Sequence, residues 1–306
     1  VRSTEELCTI HSEPAPGAVL VHAFTGFLDA AGAVKTATAH LLGAGEHRLI
    51  ASFDADELID YRARRPALTF VSDHFANVNI QTVTLHEVLD AAGIPFLLLS
   101  GPEPDYQWGS FAAAVEDLVE QFEVSLIVGL TAVPWPTPHT RPLGATWHGN
   151  DLTRLAGRVP IVGTIEVPGH VSGLLELSLG QSGHDVLGIA AHVPHYLAQF
   201  DYPRAAMTLI DDLAAATGLV IPSSGLEAAA QKANIDVNEQ VSNSMEISSV
   251  VRALEQQYDS VQLQVPVAEA SELLEDGKVP TGDQIAAQVE RFLAEMGERE
   301  SGEDSA

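Results

Sequence analysis

The chain has 306 residues, 46% of them hydrophobic and 19% charged, and a formal net charge of −27 at pH 7. Its length and mean hydropathy of +0.11 exclude global disorder and suit one large α/β domain, or one domain with a helical annex. So acidic a chain repels phosphate backbones and anionic membranes, which argues against nucleic-acid and membrane partners, and its single cysteine, Cys8, leaves no intramolecular disulfide and fits a reducing cytoplasm.

The first residues lack the basic-then-apolar pattern of a secretory signal. Residues 18–24, AVLVHAF, read as a buried strand ending in the turn Thr25-Gly26. An Ala-rich helix is expected over 29–42, stopped by Gly43 and Gly45. Strands follow at 48–53 and 67–72, and 81–86 alternates as an edge strand would. The run 94–99, IPFLLL, is continuous and apolar, so it reads as a central strand. Residues 106–122 place Phe111, Val115, Leu118, Val119 and Phe122 on one helical face. The apolar strand 124–133 follows. Strand, helix and strand over 94–133 make a βαβ unit and a partly parallel sheet. The prolines at 134, 136 and 138 make the uncharged stretch 124–140 too broken to span a membrane.

A short helix is expected over 171–179, a strand over 185–191, and a helix over 203–216 with Asp201 as cap and Gly218 as stop. Beyond Pro222 the pattern is helical only: 226–232, then a long helix over 238–258. A linker is read over 259–280, and a last helix from a capping box at Thr281 and Gln284. Residues 261–306 carry eleven acids against three bases. The domain reading is an α/β core over 1–220, a helical C-terminal annex over 221–300 and an acidic frayed tail over 301–306.

The usual signatures of chemistry are missing. The glycines at 43 and 45 follow a helix, whereas a dinucleotide loop follows a strand. There is no phosphate-cradling Gly-x-x-x-x-Gly-Lys-Ser/Thr. Gly180-Gln181-Ser182-Gly183 is one residue short of a nucleophile elbow. His192 and His195 are separated by Pro194, so they do not share a helical face as zinc ligands do. No catalytic residue, metal ligand or cofactor is assigned, although histidines and carboxylates scattered in sequence can converge in space.

Three loops just past predicted strand ends stand out, because ligand crevices in open α/β sheets form there. They are Thr25-Gly26-Phe27; Gly101-Pro102-Glu103-Pro104-Asp105, with Trp108 just beyond; and the proline-rich 134–142 after Thr131. Asp105 is placed to cap the following helix. The third loop is stiff and offers Trp135, His139 and Arg141 as exposed contact residues. The candidate interaction or ligand set is therefore Gly26, Gly101, Glu103, Asp105, Trp108, Thr131, Trp135, His139 and Arg141.

Gly101-Pro102 with Asp105 and Trp108, Gly129-Leu130-Thr131 with His139 and Arg141, and NEQVSNSMEISSVVRALEQQYD within 235–259 carry a resemblance. Over residues 15–260 the chain resembles the PAC2 family of proteasome-assembly-chaperone-like proteins, in its bacterial, actinobacterial-type branch. The resemblance implies a three-layer α/β/α sandwich with a mixed sheet, of the phosphorylase/hydrolase-like kind. It also implies a non-enzymatic, self-associating interaction protein: a homo-oligomer, a trimer or larger among its forms, with an unidentified protein client. Several relatives enter proteasome rings with a hydrophobic–Tyr–X tail. This chain ends Glu303-Asp304-Ser305-Ala306, so docking by that route is not expected. The alternative is a small-molecule binder or hydrolase/phosphorylase-type enzyme, with Arg141 holding an anion, His139 as acid or base and Glu103 assisting.

Overall fold

The computed structural model describes residues 2–158 and 164–264, with side chains through 260. The chain divides into two compact units. The larger, Val1–Pro160 with Gly169–Gln264, holds every element below; of the smaller, residues 164–168 are described and carry no helix or strand. In chain order the elements are α1 (Thr4–Leu7), β1 (Cys8–Ile10), β2 (Val19–Thr25), α2 (Ala33–Ala44), β3 (His47–Phe53), α3 (Ala55–Leu58), β4 (Ala67–Val71), β5 (His74–Asn79) and β6 (Thr84–Leu89). There follow β7 (Pro95–Pro102), α4 (Trp108–Gln121), β8 (Leu126–Trp135), β9 (Ala145–Gly149), α5 (Val171–Gln181), β10 (Val186–Pro194), α6 (Pro203–Thr217), α7 (Glu227–Ser242) and α8 (Met245–Gln264).

Eight strands form one mixed sheet in the order β1-β3-β6-β7-β2-β8-β10-β9, and β4 and β5 form a separate hairpin. The central strands β7, β2, β8 and β10 are mutually parallel; β6 and β9 run antiparallel against their two flanks. Helices cover both faces, so these strands need apolar side chains in both directions. Phe96, Leu97, Leu98 and Leu99 in β7 are each at most 1% exposed. Burying each such side chain contributes about 1.5–3 kcal/mol. On one face, Val21, Val128, Leu130 and Ile189 meet Val34 and Leu41 of α2 and Leu209, Ile210 and Leu213 of α6. On the other, Leu20, Phe24, Leu99 and Ile127 meet Phe111, Val115 and Leu118 of α4 and Leu175 of α5. The architecture is the expected α/β sandwich with a mixed sheet.

Local chemistry sets several boundaries. Asp29 does not begin a helix; its Oδ1 accepts from Val34 N at 2.7 Å, and a 3-10 turn over Ala30–Gly32 intervenes before α2. Proline opens α6 and Gly218, at φ +75°, closes it. Asp201 makes no capping bond to that helix, whose N-cap is Tyr202.

Four further expectations are corrected. The segment 81–86 is no edge: β6 lies between β3 and β7, and Glu87, on its outer half, is tied to Arg48 of β3. The strand at 67–72 leaves the sheet and pairs with β5 alone. The helix expected over 238–258 is two helices, because the chain breaks at Asn243 and Ser244 Oγ accepts from Ile247 N to start α8. That helix then runs to Gln264, into the expected linker. The helix from Thr281 and the acidic tail lie outside the described residues.

Gly101 carries a sharp constraint. Its φ is +150°, and a Cβ there would lie 2.5 Å from Thr82 O and 2.8 Å from Val83 Cα, both backbone atoms that cannot turn aside. Gly101→Ala is expected to destabilise the fold by about 2–4 kcal/mol in urea titrations. Gly93→Ala, at φ +80° with nothing within 4 Å, is expected to cost only about 1 kcal/mol of backbone strain.

Candidate functional site

The central parallel strands, otherwise mostly apolar, and the adjoining β9 contain a row of imidazoles and glycines. His22 of β2 pairs with Gly129 of β8, Gly129 with Gly188 of β10, and Gly188 with His148 of β9. Residues opposite one another across a sheet face the same side. Two adjacent glycines thus leave a trough between two imidazoles, and Glu176 of α5 enters it. A Cβ on Gly129 would sit 2.6 Å from Glu176 Oε1 and 2.7 Å from His22 Nε2; one on Gly188 would sit 2.1 Å from His148 Nε2. The side chains occupy the volume that the missing Cβ atoms release.

The electrostatics follow from burial and pairing. His22 is fully buried, and neither ring nitrogen has a hydrogen-bond partner. Burial pushes its pKa down to about 4, against the opposing pull of Glu176, so the ring is neutral at pH 7. Burial alone would raise the Glu176 carboxyl. The 2.8 Å bond to His148 Nε2 and the neighbouring imidazoles outweigh it, and Glu176 stays below its usual value. The same bond raises His148 above its ordinary pKa. His170 caps α5, its Nδ1 accepting from Gly173 N at 3.0 Å, and burial lowers its pKa. This neutral imidazole, carboxylate and proton-holding imidazole can store a proton at His148 Nε2 against Glu176. Among the described residues no hydroxyl or thiol is hydrogen-bonded to His22, His148 or His170, so the nucleophile–base pair of covalent hydrolysis is not assembled there.

Part of the sequence-derived set joins this cluster. Glu103 Oε1 accepts from Val171 N, at the start of α5, at 2.9 Å. Its backbone N donates to Thr25 O, and a Cβ on Gly26 would lie 3.1 Å from its Oε2. Gly26, Gly101 and Glu103 therefore meet where β2 and β7 end. Trp108 donates from Nε1 to Pro104 O and packs beside Gly169. Asp105 does not cap α4, whose N-cap is Gln107; its carboxylate accepts from Asp60 N and pairs with Arg64 at 2.8 Å.

The third loop divides: Thr131 and Trp135 fall an even number of residues beyond Gly129 along β8 and so face the histidine-row side, whereas His139 and Arg141 are held by α6, α7 and α8. Thr131 is buried, with its hydroxyl 3.5 Å from Ile189 O, and Trp135 stacks on His192 at 4.0 Å. His139 is not exposed, as its loop suggested, but 2% accessible. Its Nδ1 meets the Tyr196 hydroxyl at 2.7 Å and its Nε2 donates to Asn238 Oδ1 of α7 at 3.1 Å. Arg141 clamps Asp259 of α8 with two bonds, at 2.8 and 2.6 Å, and also reaches Glu255. No hydrogen bond or ion pair among the described residues joins Glu103 to His139 or Arg141. Sequence reasoning passed over His22, His148, His170 and Glu176. The usable signals were a histidine inside the apolar run of β2 and a lone glycine inside each of β8 and β10, which marks close approach.

The buried imidazole makes stability depend on pH. Between about pH 6.5 and 4 the unfolded chain binds a proton at His22 and the folded protein does not. Stability therefore falls as pH falls through that window, by on the order of 3 kcal/mol from this group. His192, also pushed down to about 4 by burial, adds to the same limb. Chemical denaturation of His22→Leu at pH 7 and pH 4.5 is expected to show a visibly smaller loss than the wild type.

Comparison with known proteins places this geometry. The PAC2 family pattern matches residues 23–241. A protein of unknown function from Mycobacterium tuberculosis is 42% identical, with a TM-score of 0.81 over 84% of this chain and 92% of its own. A PAC2 family protein from Streptomyces avermitilis is 27% identical, with a TM-score of 0.68 over 76% of this chain and 99% of its own. A second M. tuberculosis protein, described as a proteasome-assembly chaperone homologue, is 23% identical, with a TM-score of 0.70 over 76% of this chain and 99% of its own, and so shares the fold. No curated protein matches the chain. No helix among the described residues is long and apolar enough to cross a membrane. With its mixed sheet covered on both faces and the family pattern running from β2 through most of α7, the chain belongs to the PAC2 family.

Proposed function

We propose that the protein is a non-enzymatic, self-associating interaction protein of the assembly-chaperone-like kind. The observation that carries this reading is the β4–β5 hairpin. Every residue from 67 to 80 is exposed, and Leu68, Phe70, Val71, Phe75, Val78 and Ile80 show between 43% and 67% of their surface to solvent. Phe70 and Phe75 pack edge to face at 5.1 Å, each the other's aromatic neighbour on the ribbon. An isolated two-stranded ribbon is marginal in water, and its unpaired edges invite a further strand. Its only formal charge is Asp73, in the turn. Apolar, aromatic and nearly uncharged surface is what buried interface cores are made of. The occupant proposed is the same arm on a second copy, because a two-fold contact needs only a self-complementary patch.

The fold relative that is a proteasome-assembly chaperone homologue supports a protein client rather than a small substrate. The small-molecule or hydrolase/phosphorylase-type alternative draws on the His22–Glu176–His148 row, and it wants a nucleophile. Light scattering after gel filtration is expected to give a multimer for the full chain. The double variant Phe70→Ser and Phe75→Ser is expected to give a monomer, with a Tm changed by less than about 2 °C because both side chains are exposed. A wild type that is monomeric at every concentration overturns the proposal.

A further inference from the structure

At the amino end of the parallel strands, away from the histidine row, a separate cluster carries unspent chemistry. Glu116 and Glu120 stand one helical turn apart on α4. His184 lies in the turn between α5 and β10. One carboxylate oxygen from each glutamate and one ring nitrogen of His184 lie within 4.8 Å of one another.

Three features make this cluster costly as it stands. Like charges four residues apart on a helix repel. Both carboxylates fall in the carboxyl-terminal half of α4, where the helix dipole disfavours anions, and the last turn carries no basic residue. Neither glutamate forms an ion pair among the described residues, although ten such pairs are made elsewhere. His184 adds an independent observation: its Nε2 is shielded from solvent and makes no hydrogen bond. A shielded ring nitrogen without a partner costs about 1–3 kcal/mol unless something meets it.

One ligand answers all of these demands. We propose that Glu116, Glu120 and His184 form a divalent transition-metal site. A cation between the two carboxylates removes their repulsion, complements the helix terminus and gives the imidazole an electron-pair acceptor. The mixed oxygen and nitrogen donor set favours zinc or a neighbouring first-row ion over magnesium, which prefers an all-oxygen shell. Metal–ligand bonds near 2.1 Å put donor atoms about 3.4 Å apart around a tetrahedral ion. Closing from 4.8 Å requires only rotation of glutamate side chains, one of which is exposed. Three protein ligands leave a coordination position for water or for a donor from a partner, as in open rather than purely structural sites. The site is independent of the β4–β5 arm.

The test uses the full chain, stripped with a chelator and titrated by calorimetry with zinc chloride, with magnesium chloride as comparator. One zinc per chain is expected to bind saturably and magnesium at least tenfold more weakly. Glu120→Gln is expected to weaken zinc at least tenfold, and His184→Ala to remove the site. His47→Ala, at an exposed position on β3 outside the arm, is expected to leave zinc binding unchanged. A second readout separates lost ligation from misfolding. Metal-free Glu120→Gln is expected to melt about 1 °C higher than the wild type, because the like-charge pair is gone, and to lose most of the zinc-induced rise in Tm. Zinc binding that is non-saturable, matched by magnesium, or unchanged in His184→Ala overturns the proposal.

Discussion

A sheet with helices on both faces has no wet side, and much of this structure follows from that constraint. The parallel strands β7, β2, β8 and β10 must satisfy any polar side chain from within. Thr131 lies near a strand carbonyl. His22 has no partner, and its ring fits only because the facing residue is Gly129 and the next one Gly188. Those glycines cost strand stability, since each gives up packing and adds chain entropy to the unfolded state. The row is therefore a local sacrifice of core for polar chemistry. Glu176 and His148 turn it into a charged pair with a neutral imidazole beside it.

The carboxyl edge of the same strands divides its loops between the two helical layers. Glu103 holds the ends of β2 and β7 to the first residue of α5. His139 and Arg141 hold the loop after β8 to α7 and α8. The loops that looked in sequence like three walls of one crevice thus serve opposite faces. Arg141 spends both ends of its guanidinium on Asp259, and its anion-binding capacity is taken up within the chain. That arrangement favours a binding scaffold over a converged catalytic centre, and leaves the unbonded apolar surface on the β4–β5 arm.

What could be read from sequence follows from burial. The runs at 18–24, 94–99 and 124–133 became β2, β7 and β8 because continuous apolar character has few other uses in an α/β chain. Helices α4, α5 and α6 were legible from one-sided periodicity and from the proline and glycine that bound α6. Strand β9 was missed: it is five residues, Ala145–Gly149, with only Trp147 buried. The arm misled for the opposite reason. Residues 67–72 carry strand-like side chains, but nothing in their pattern says that both faces meet water. The histidine row stayed hidden because its members are scattered across 22–188, and only the β2–β8–β10–β9 register brings them into line.

The net charge bears on where the proposed association would occur. A chain at −27 repels its own copies, and proximity of two such surfaces is costly wherever carboxylates face each other. Fifteen cations stand against 42 acids, and six of them, Arg2, Arg48, Arg64, Arg141, Arg154 and Arg158, are already committed to internal pairs. Along residues 67–80 the only formal charge is Asp73, so two arms can approach without that penalty and remove aromatic surface from water as they do. The acidic surface then works as a filter. It discourages contact through most of the molecule and leaves a nearly uncharged ribbon on which a specific contact can form. Acidity and the proposed self-association, which look opposed in the composition, are compatible because the arm carries a single formal charge.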